Sequence, residues 1–171
     1  KTEKIEAKKT VDDGTYKIVM ATAPSQSLTV DGGKTGNGAN VHLWQYVNSE
    51  QQQFNLVYDG KGYYEIIPIH SGKRLDVAGW GNEANVDQWQ QNGGNDNQKW
   101  TIKKSDRGNY NIISKRQNLY LTAHNSNSSD GTNIEGFEKN GGSGQEFILE
   151  KVKNEKNENT KNIRNTRSVR N

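Results

Sequence analysis

The feature that most constrains this 171-residue chain is a unit that occurs three times in succession. A Gly-x-Tyr-x-Ile motif opens each copy, and its glycines are Gly14, Gly62 and Gly108. A Gln-x-(Trp/Phe) motif closes each copy, and its glutamines are Gln52, Gln98 and Gln145. Both motifs recur at intervals of 46 to 48 residues. Because separate landmarks share one period, the sequence predicts a fold built from three equivalent units.

Short apolar segments alternate with clusters of Gly, Asn, Asp and Ser inside each unit. In the first unit these segments are residues 16–21, 28–31, 41–45 and 54–58. Such segments predict β-strands, and no stretch within residues 14–152 keeps the apolar spacing of an amphipathic helix. We therefore expect an all-β domain of three four-stranded units, at about 14–61, 62–107 and 108–152. Pseudo-threefold closure would leave no sheet edge exposed.

Composition excludes several classes of protein. The chain has no cysteine, which excludes a disulfide scaffold, a Cys-ligated zinc site and a thiol nucleophile. Its net charge of +3 comes from residues 153–171, so the repeats offer no basic surface for nucleic acid. No segment is apolar for long enough to span a membrane, and we expect a soluble protein. We interpret residues 1–13 as a flexible N-terminal segment and residues 153–171 as a disordered basic tail or linker.

The repeated motifs resemble those of the ricin-type β-trefoil lectins, which include the family 13 carbohydrate-binding modules. The resemblance covers residues 14–152. It rests on the three Gln-x-(Trp/Phe) signatures and on the Asn-(Val/Ile)-x-x-(Trp/Phe) segment before each of them. It implies a six-stranded barrel capped by three hairpins, with the signature aromatics in the core. The core residues expected on this basis are Ile18, Phe54, Ile66, Trp100, Ile112 and Phe147.

The resemblance also implies a shallow sugar pocket in each unit, built from an aspartate, an aromatic platform and polar residues near the signature. Asp31 precedes Trp44 by 13 residues, and Asp76 precedes Trp89 by the same number. An indole offers the apolar face of a sugar ring a flat surface, and a carboxylate accepts hydrogen bonds from adjacent hydroxyls. We therefore expect these two pairs to occupy equivalent places in two sites.

The second unit keeps the most complete set of candidate residues. Its predicted carbohydrate-binding residues are Asp76, Asp87, Trp89, Asn92, Asn97 and Gln98, with Gln98 bracing the aspartate or the loop. Those of the first unit are Asp31, His42, Trp44, Asn48, Gln51 and Gln52. The third unit has Thr122 in place of the aspartate, Phe137 as platform and Gly144 before its signature glutamine. We expect weak binding or none in that unit.

The expected function is non-catalytic binding of galactose-, N-acetylgalactosamine- or xylan-type glycans, with no cofactor and no metal ion. The resemblance implies a secreted module that targets a larger protein to polysaccharide or cell-surface glycan, without binding nucleic acid or inserting into a membrane. The alternative is a protein-binding β-trefoil scaffold with degenerate sugar sites. The two hypotheses differ in whether Trp44 and Trp89 face solvent.

Two further features of the second unit bear on its function. Asp76 and Asp87 could suggest a glycosidase pair, but an open pocket is not expected to desolvate one carboxyl and so separate an acid from a base. Trp80 has no equivalent in the other units. It either extends the second site or packs against the barrel.

Overall fold

The computed structural model describes residues 4–153, which contain twelve β-strands and five 3-10 helices of three residues each. The first unit comprises β1 (Gly14–Met20), β2 (Ala23–Val30), β3 (Val41–Gln45) and β4 (Phe54–Tyr58). The second comprises β5 (Tyr64–Pro68), β6 (Arg74–Ala78), β7 (Ala84–Trp89) and β8 (Trp100–Lys104). The third comprises β9 (Tyr110–Ser114), β10 (Tyr120–Ala123), β11 (Ile134–Phe137) and β12 (Phe147–Lys151). Within residues 4–153, no helix is long and apolar enough to cross a lipid bilayer.

Six of these strands form a closed antiparallel barrel. β1 pairs with β4, β4 with β5, β5 with β8, β8 with β9 and β9 with β12. β12 then pairs with β1 along five residue pairs and closes the ring. The hairpins β2–β3, β6–β7 and β10–β11 cap the barrel. This is the expected all-β fold, a β-trefoil.

The strand bounds follow the apolar pattern where one face of the strand is buried. The predicted segments 41–45 and 54–58 coincide with β3 and β4. β2 begins five residues before the predicted start at residue 28, because its first four residues are partly or fully exposed and give no apolar signal. Asp31, predicted as the last strand residue, instead opens the 3-10 helix Asp31–Gly33.

The signature aromatics form the centre of the core, as expected. All six residues predicted to lie there are fully buried: Ile18, Phe54, Ile66, Trp100, Ile112 and Phe147. The indole Nε1 of Trp100 donates to the carbonyl of Leu75 at 3.1 Å, so its one polar atom is satisfied inside the barrel.

A ring of three asparagines joins the three hairpins. Asn40 donates to Asn133 at 2.8 Å, Asn133 donates to Asn85 at 2.9 Å, and Asn85 donates to Asn40 at 2.9 Å. Each side chain therefore donates once and accepts once within the ring. This explains why an asparagine recurs at the start of the third strand of each unit, just before β3 and β11 and as the second residue of β7.

Each signature glutamine fastens a loop to the second strand of its unit. The fully buried Gln98 accepts the Asn92 N–H at 3.2 Å and donates to the Gln90 carbonyl and to Asp76, both at 2.9 Å. Gln52 and Gln145 repeat this pattern, and their acceptors on the second strand are Thr29 and Thr122. The predicted bracing role of Gln98 is thus visible in its contacts.

The chain before Gly14 contacts the barrel. The Tyr64 hydroxyl accepts the N–H groups of Thr10 and Val11, each at 3.0 Å, and donates to the Val11 carbonyl at 2.7 Å. The packed body therefore extends to the N-terminal side of β1. The tail predicted at 153–171 lies, after residue 153, outside the described residues.

Candidate functional site

The second unit forms a surface depression of about 310 Å³, which we call the second-unit pocket. Its lining residues are Asp76, Val77, Ala78, Gly79, Trp80, Trp89, Asn92, Asn97 and Arg116. The structure therefore brings together four of the residues predicted for this unit. Trp89 lies at the end of β7 with 42% of its surface exposed, so its indole is open to solvent.

Asp76 is the polar anchor of the second-unit pocket. Asn97 and Gln98 both donate to its Oδ2, at 3.0 and 2.9 Å. Its Oδ1 has no hydrogen-bond partner among residues 4–153 and remains available to a ligand. Burial raises the pKa of Asp76, while the two amides and, more weakly, the positive charge of Arg116 act in the opposite direction.

Asp87 lies behind this anchor. It is buried, it pairs with Asp76 in the β6–β7 register, and it is not among the lining residues of the second-unit pocket. Its Oδ1 is buried without a hydrogen-bond partner. Burial, followed by the charge of Asp76, raises the pKa of Asp87 to about 7. The expectation that this site would not desolvate a carboxyl is therefore wrong.

Trp80 extends the second-unit pocket, which decides between its two predicted roles. Its indole is 72% exposed, and the Arg116 guanidinium lies 4.2 Å from the ring centroid. Arg116 and Gln117 donate to the Gly79 carbonyl at 2.9 and 2.8 Å, and Gln117 accepts the Gly81 N–H at 2.8 Å. Trp80 is thus exposed on a loop that neighbouring side chains hold in place.

Arg116 is a pocket residue that the sequence did not predict. Arg116 lies between β9 and β10, in the third unit, whereas the other lining residues of the second-unit pocket belong to the second unit. Aligning the sequences of the three units shows which residues are equivalent, but it does not show which residues of one unit contact another unit.

The first unit forms a depression of about 290 Å³, the first-unit pocket. It is lined by Thr29, Asp31, Gly32, His42, Trp44, Val47, Gln51 and Gln52. Trp44 is 44% exposed, and the His42 ring meets it edge-on at 5.7 Å between centroids. Five of the six predicted residues of this unit therefore line one depression, although the Gln52 side chain is fully buried. Such a glutamine acts by positioning its neighbours.

Asp31 and Asn48 are engaged with other side chains of the first unit. Asp31 lies 3.0 Å from Lys34 Nζ and 3.4 Å from His42 Nε2. The hydrogen bond with Lys34, then its charge, lowers the pKa of Asp31. Asn48 does not line the first-unit pocket, because its Oδ1 accepts from Tyr46 and Gln53 on the far side of the loop.

The equal spacing of the two Asp–Trp pairs does not reflect equivalent positions. The signature glutamines contact Thr29, Asp76 and Thr122, so these three residues are equivalent. Asp31 lies two residues beyond Thr29. The loop between the second and third strands is two residues shorter in the second unit, since Thr29 to Trp44 spans 15 residues and Asp76 to Trp89 spans 13. Asp31 therefore reaches the first-unit pocket from a loop, not from the strand.

In the third unit, the backbone around Ser126 and Gly144 occupies the place that corresponds to the pockets of the other two units. The Ser126 hydroxyl accepts the Gly144 N–H at 3.0 Å. A Cβ at Gly144 would lie 2.6 Å from the Ala123 carbonyl oxygen, so a side chain like that of Asn97 in the second unit does not fit. His124 and Glu135 form a hydrogen-bonded pair at 2.6 Å beside this contact. Weak sugar binding here stays a prediction.

A closed barrel capped by three hairpins, with a surface pocket between hairpin and signature loop, defines a β-trefoil of the lectin type. The chain belongs to the family of ricin-type beta-trefoil lectin domain-like proteins, which it matches over residues 4–91, 50–137 and 96–170. The matches overlap and are displaced by 46 residues, as a threefold repeat requires. The narrower assignment to the family 13 carbohydrate-binding modules stays a prediction.

Solved structures share this fold. ThreeFoil, a designed 3-fold symmetric protein, is 36% identical with a TM-score of 0.77, over 82% of this chain and 100% of that one. The exo-beta-1,3-galactanase 1,3Gal43A from Clostridium thermocellum is 30% identical with a TM-score of 0.76, over 82% of this chain but only 31% of the enzyme. The Macrolepiota procera ricin B-like lectin, solved with lactose, is 17% identical with a TM-score of 0.72, over 84% and 100%, and supports the fold alone. No curated protein matches the sequence.

Proposed function

We propose that this protein binds glycans without catalysis, through the first- and second-unit pockets. One observation carries the proposal. Of the four tryptophans in the chain, Trp100 is buried, whereas Trp44, Trp80 and Trp89 are exposed and all three line these two pockets. Exposed indoles beside a carboxylate are costly to a protein that uses its trefoil only as a scaffold, and they suit the apolar face and hydroxyl rim of a sugar.

The second-unit pocket offers complementary groups for one pyranose ring. Trp89 supplies the flat apolar surface, and Oδ1 of Asp76 accepts a hydroxyl in a charge-assisted hydrogen bond. Asn92 and Asn97 provide amides that can both donate and accept. These amides hold each other, with 3.3 Å between Asn92 Nδ2 and Asn97 Oδ1, so the site is partly organised before a ligand arrives.

Trp80 favours a ligand longer than one sugar. Trp80 and Trp89 both line the second-unit pocket, and the Trp80 loop is fixed by the hydrogen bonds of Arg116 and Gln117. A fixed aromatic side chain loses little conformational entropy on binding. Trp80 therefore serves a second ring of an oligosaccharide.

Catalysis is not part of the proposal, because the second carboxyl cannot reach a substrate. A glycosidase pair acts from both sides of the scissile bond. Asp87 lies beneath Asp76 and outside the lining of the second-unit pocket, with its Oδ1 enclosed. Asp87 is buried next to the site. Its raised pKa does not make it a catalytic acid, because the enclosed carboxyl cannot contact a leaving group.

Galactose-containing glycans are the ligands that we propose first, with xylan and N-acetylgalactosamine types as the alternatives. Among similar structures, the Macrolepiota lectin was solved with lactose and 1,3Gal43A is named an exo-beta-1,3-galactanase. We further propose that the domain serves a larger secreted protein, since it corresponds to a minor part of the galactanase. Two pockets on one domain would then add avidity on a repetitive glycan.

The test is calorimetric titration of the full chain with lactose and with a galactose-containing oligosaccharide. We expect affinity near millimolar for each pocket, which corresponds to about 4 kcal/mol. Trp89→Ala should remove binding in the second unit and Trp44→Ala in the first. Val57→Ala is the matched control, because Val57 is exposed on β4 and lines neither pocket. Unchanged affinity in the double tryptophan variant, or no ligand on a broad glycan array, would reject the proposal.

A further inference from the structure

An imidazole and a carboxylate of the third unit meet a second carboxylate, from the β6–β7 loop of the second unit. One ligand atom each from Glu83, His124 and Glu135 lie within 4.8 Å of one another. Glu135 is buried on β11, whereas Glu83 and His124 reach solvent. We call these three residues the His–Glu cluster. It shares no residue with the first- or second-unit pocket.

The Glu83 position differs from its equivalents in the other units. Glu83 donates its backbone N–H to Gly136, as Gly38 donates to Gln88 and Gly131 donates to Leu43. Each donor stands two residues before an asparagine of the ring, so the three positions are equivalent. Two units have glycine here, and one has a carboxylate.

The backbone at this position suits glycine. Its φ angle is 84° at Gly38 and 85° at Gly131, and Glu83 has a φ of 68°. A residue with a Cβ is disfavoured in this left-handed region. The glutamate brings a carboxylate to His124 and Glu135, and its position in the fold gives no other reason for a non-glycine residue.

The other two positions of the cluster also carry metal-ligating groups, and within residues 4–153 no other three such groups lie as close together. His124 opens the 3-10 helix after β10, where the first unit has Asp31 after β2. Glu135 pairs with Thr122 as His42 pairs with Thr29. At the first unit the equivalent residues are Asp31, His42 and Gly131. Because Gly131 has no side chain, this set has two metal-ligating groups instead of three.

We propose that the His–Glu cluster binds a divalent first-row metal ion such as Zn²⁺, against the expectation that the chain has no metal site. Zinc takes imidazole nitrogen and carboxylate oxygen at about 2.0–2.2 Å, which separates ligands in a tetrahedral site by about 3.4 Å. Glu135 is the fixed ligand, since it is held in the β10–β11 register. The exposed Glu83 and the partly exposed His124 close on the ion from two neighbouring units, and water completes its coordination.

The imidazole decides the class of ion. Mg²⁺ and Ca²⁺ prefer oxygen ligands, whereas imidazole suits zinc, copper and nickel. The ion would replace the hydrogen bond of 2.6 Å between His124 Nδ1 and Glu135 Oε1. Binding would therefore tie the β6–β7 loop to the third unit.

The test titrates the full chain with Zn²⁺ alone, by calorimetry and by thermal unfolding. The wild type should bind one equivalent and melt at a higher temperature with zinc, and Mg²⁺ should cause no such shift. Glu83→Gly and His124→Gln should each weaken zinc binding at least tenfold. Without zinc, Glu83→Gly should melt no lower than the wild type, because glycine suits the backbone at this position. An unchanged melting temperature without zinc would show that Glu83→Gly weakens zinc binding by removing a ligand and not by damaging the fold.

His70→Gln is the matched control, because His70 is a partly exposed histidine outside the cluster, with its Nε2 2.8 Å from the Lys34 carbonyl. It should bind zinc as the wild type does. Absence of zinc binding by the wild type would overturn the proposal. So would equal zinc affinity in the wild type, Glu83→Gly and His124→Gln, since the ion would then bind elsewhere. Lactose binding is expected to be the same in all these variants, so either result leaves the glycan proposal to its own test.

Discussion

Asp76 and Asp87 lie directly opposite each other on β6 and β7, and both carboxyl groups are buried. The first unit has Thr29 and His42 at these places, and the third has Thr122 and Glu135. Only the second unit therefore sets two acids against each other at this place. Two amides donate to Oδ2 of Asp76 and stabilise its charge, whereas the buried Oδ1 of Asp87 has no hydrogen-bond partner. The cost of placing two acids side by side therefore appears in the pKa of Asp87.

This pair should make the stability of the domain depend on pH. The pKa of Asp87 is about 7 in the fold, whereas an aspartate in the unfolded chain titrates near 4. Between these values the unfolded chain releases a proton that the folded protein keeps, so this contribution to stability falls as pH rises from about 4 to about 7. Asp87→Asn removes this titration. The wild type should therefore lose about 2 to 3 kcal/mol more unfolding free energy than Asp87→Asn between pH 5 and pH 8. Urea unfolding of both proteins at the two pH values measures it, and an equal difference at both would contradict the assignment.

Two tryptophans should separate stability from binding. Trp100→Ala removes a fully buried side chain and should cost about 3 to 5 kcal/mol of unfolding free energy. Trp89→Ala removes an exposed side chain and should change stability by less than about 0.5 kcal/mol while glycan binding in the second unit is lost. Chemical denaturation paired with lactose titration measures both effects. A loss of stability in Trp89→Ala like that in Trp100→Ala would show that its indole supports the fold.

The signature glutamine should link loop order to affinity. Gln98→Ala breaks one buried and two partly buried hydrogen bonds of a fully buried side chain and should cost about 3 kcal/mol, because the groups it leaves without a partner are shielded from water. It should also weaken ligand binding in the second unit, since Asn92 and Asn97 lie on the released loop. Gln145→Ala breaks the same three contacts in the third unit and is the matched control. It should lose similar stability with the affinity of the second unit unchanged. Equal affinity loss in both variants would point to a general loosening of the barrel.

Trp80 should distinguish long ligands from short ones. Trp80→Ala should leave binding of a monosaccharide unchanged and weaken binding of an oligosaccharide about tenfold, which is near the 1.4 kcal/mol of one stacking contact. Stability should hardly change, because the indole is mostly exposed. Titration with galactose and with a tri- or tetrasaccharide makes the comparison. An equal effect on both ligands would place Trp80 at the primary sugar position.

Much of the fold could be predicted because the repeat imposes it. The recurrence of Gln98 with an aromatic residue two positions later, Trp100 here and phenylalanine in the other units, established the period. Short apolar segments between Gly, Asn, Asp and Ser clusters located strands such as β3. Closure of the barrel then followed from having three equivalent units. The exposed start of β2 could not be predicted, since a strand with no buried face carries no apolar pattern.

The site was less predictable, because its geometry depends on loop lengths and on contacts between units. Asp31 and Asp76 share a spacing from their tryptophans only because one loop is two residues shorter. Arg116 and Glu83 reach their sites from neighbouring units, so no spacing within a unit reveals them. The available signal was a carboxylate at position 83 where the repeat otherwise has glycine.

The pairing of β1 with β12 places the two ends of the folded body side by side, with Tyr16 opposite Lys151 and Met20 opposite Phe147. A circularly permuted chain that joins these ends by a short linker and begins at Gly62 would therefore keep every strand pair of the barrel. The order of synthesis would change, so that the second unit would emerge from the ribosome first, and the linker would replace the contacts of Thr10 and Val11 with Tyr64. The trefoil thus has no obligatory starting unit, and any of its three units could lead the polypeptide without altering the pockets.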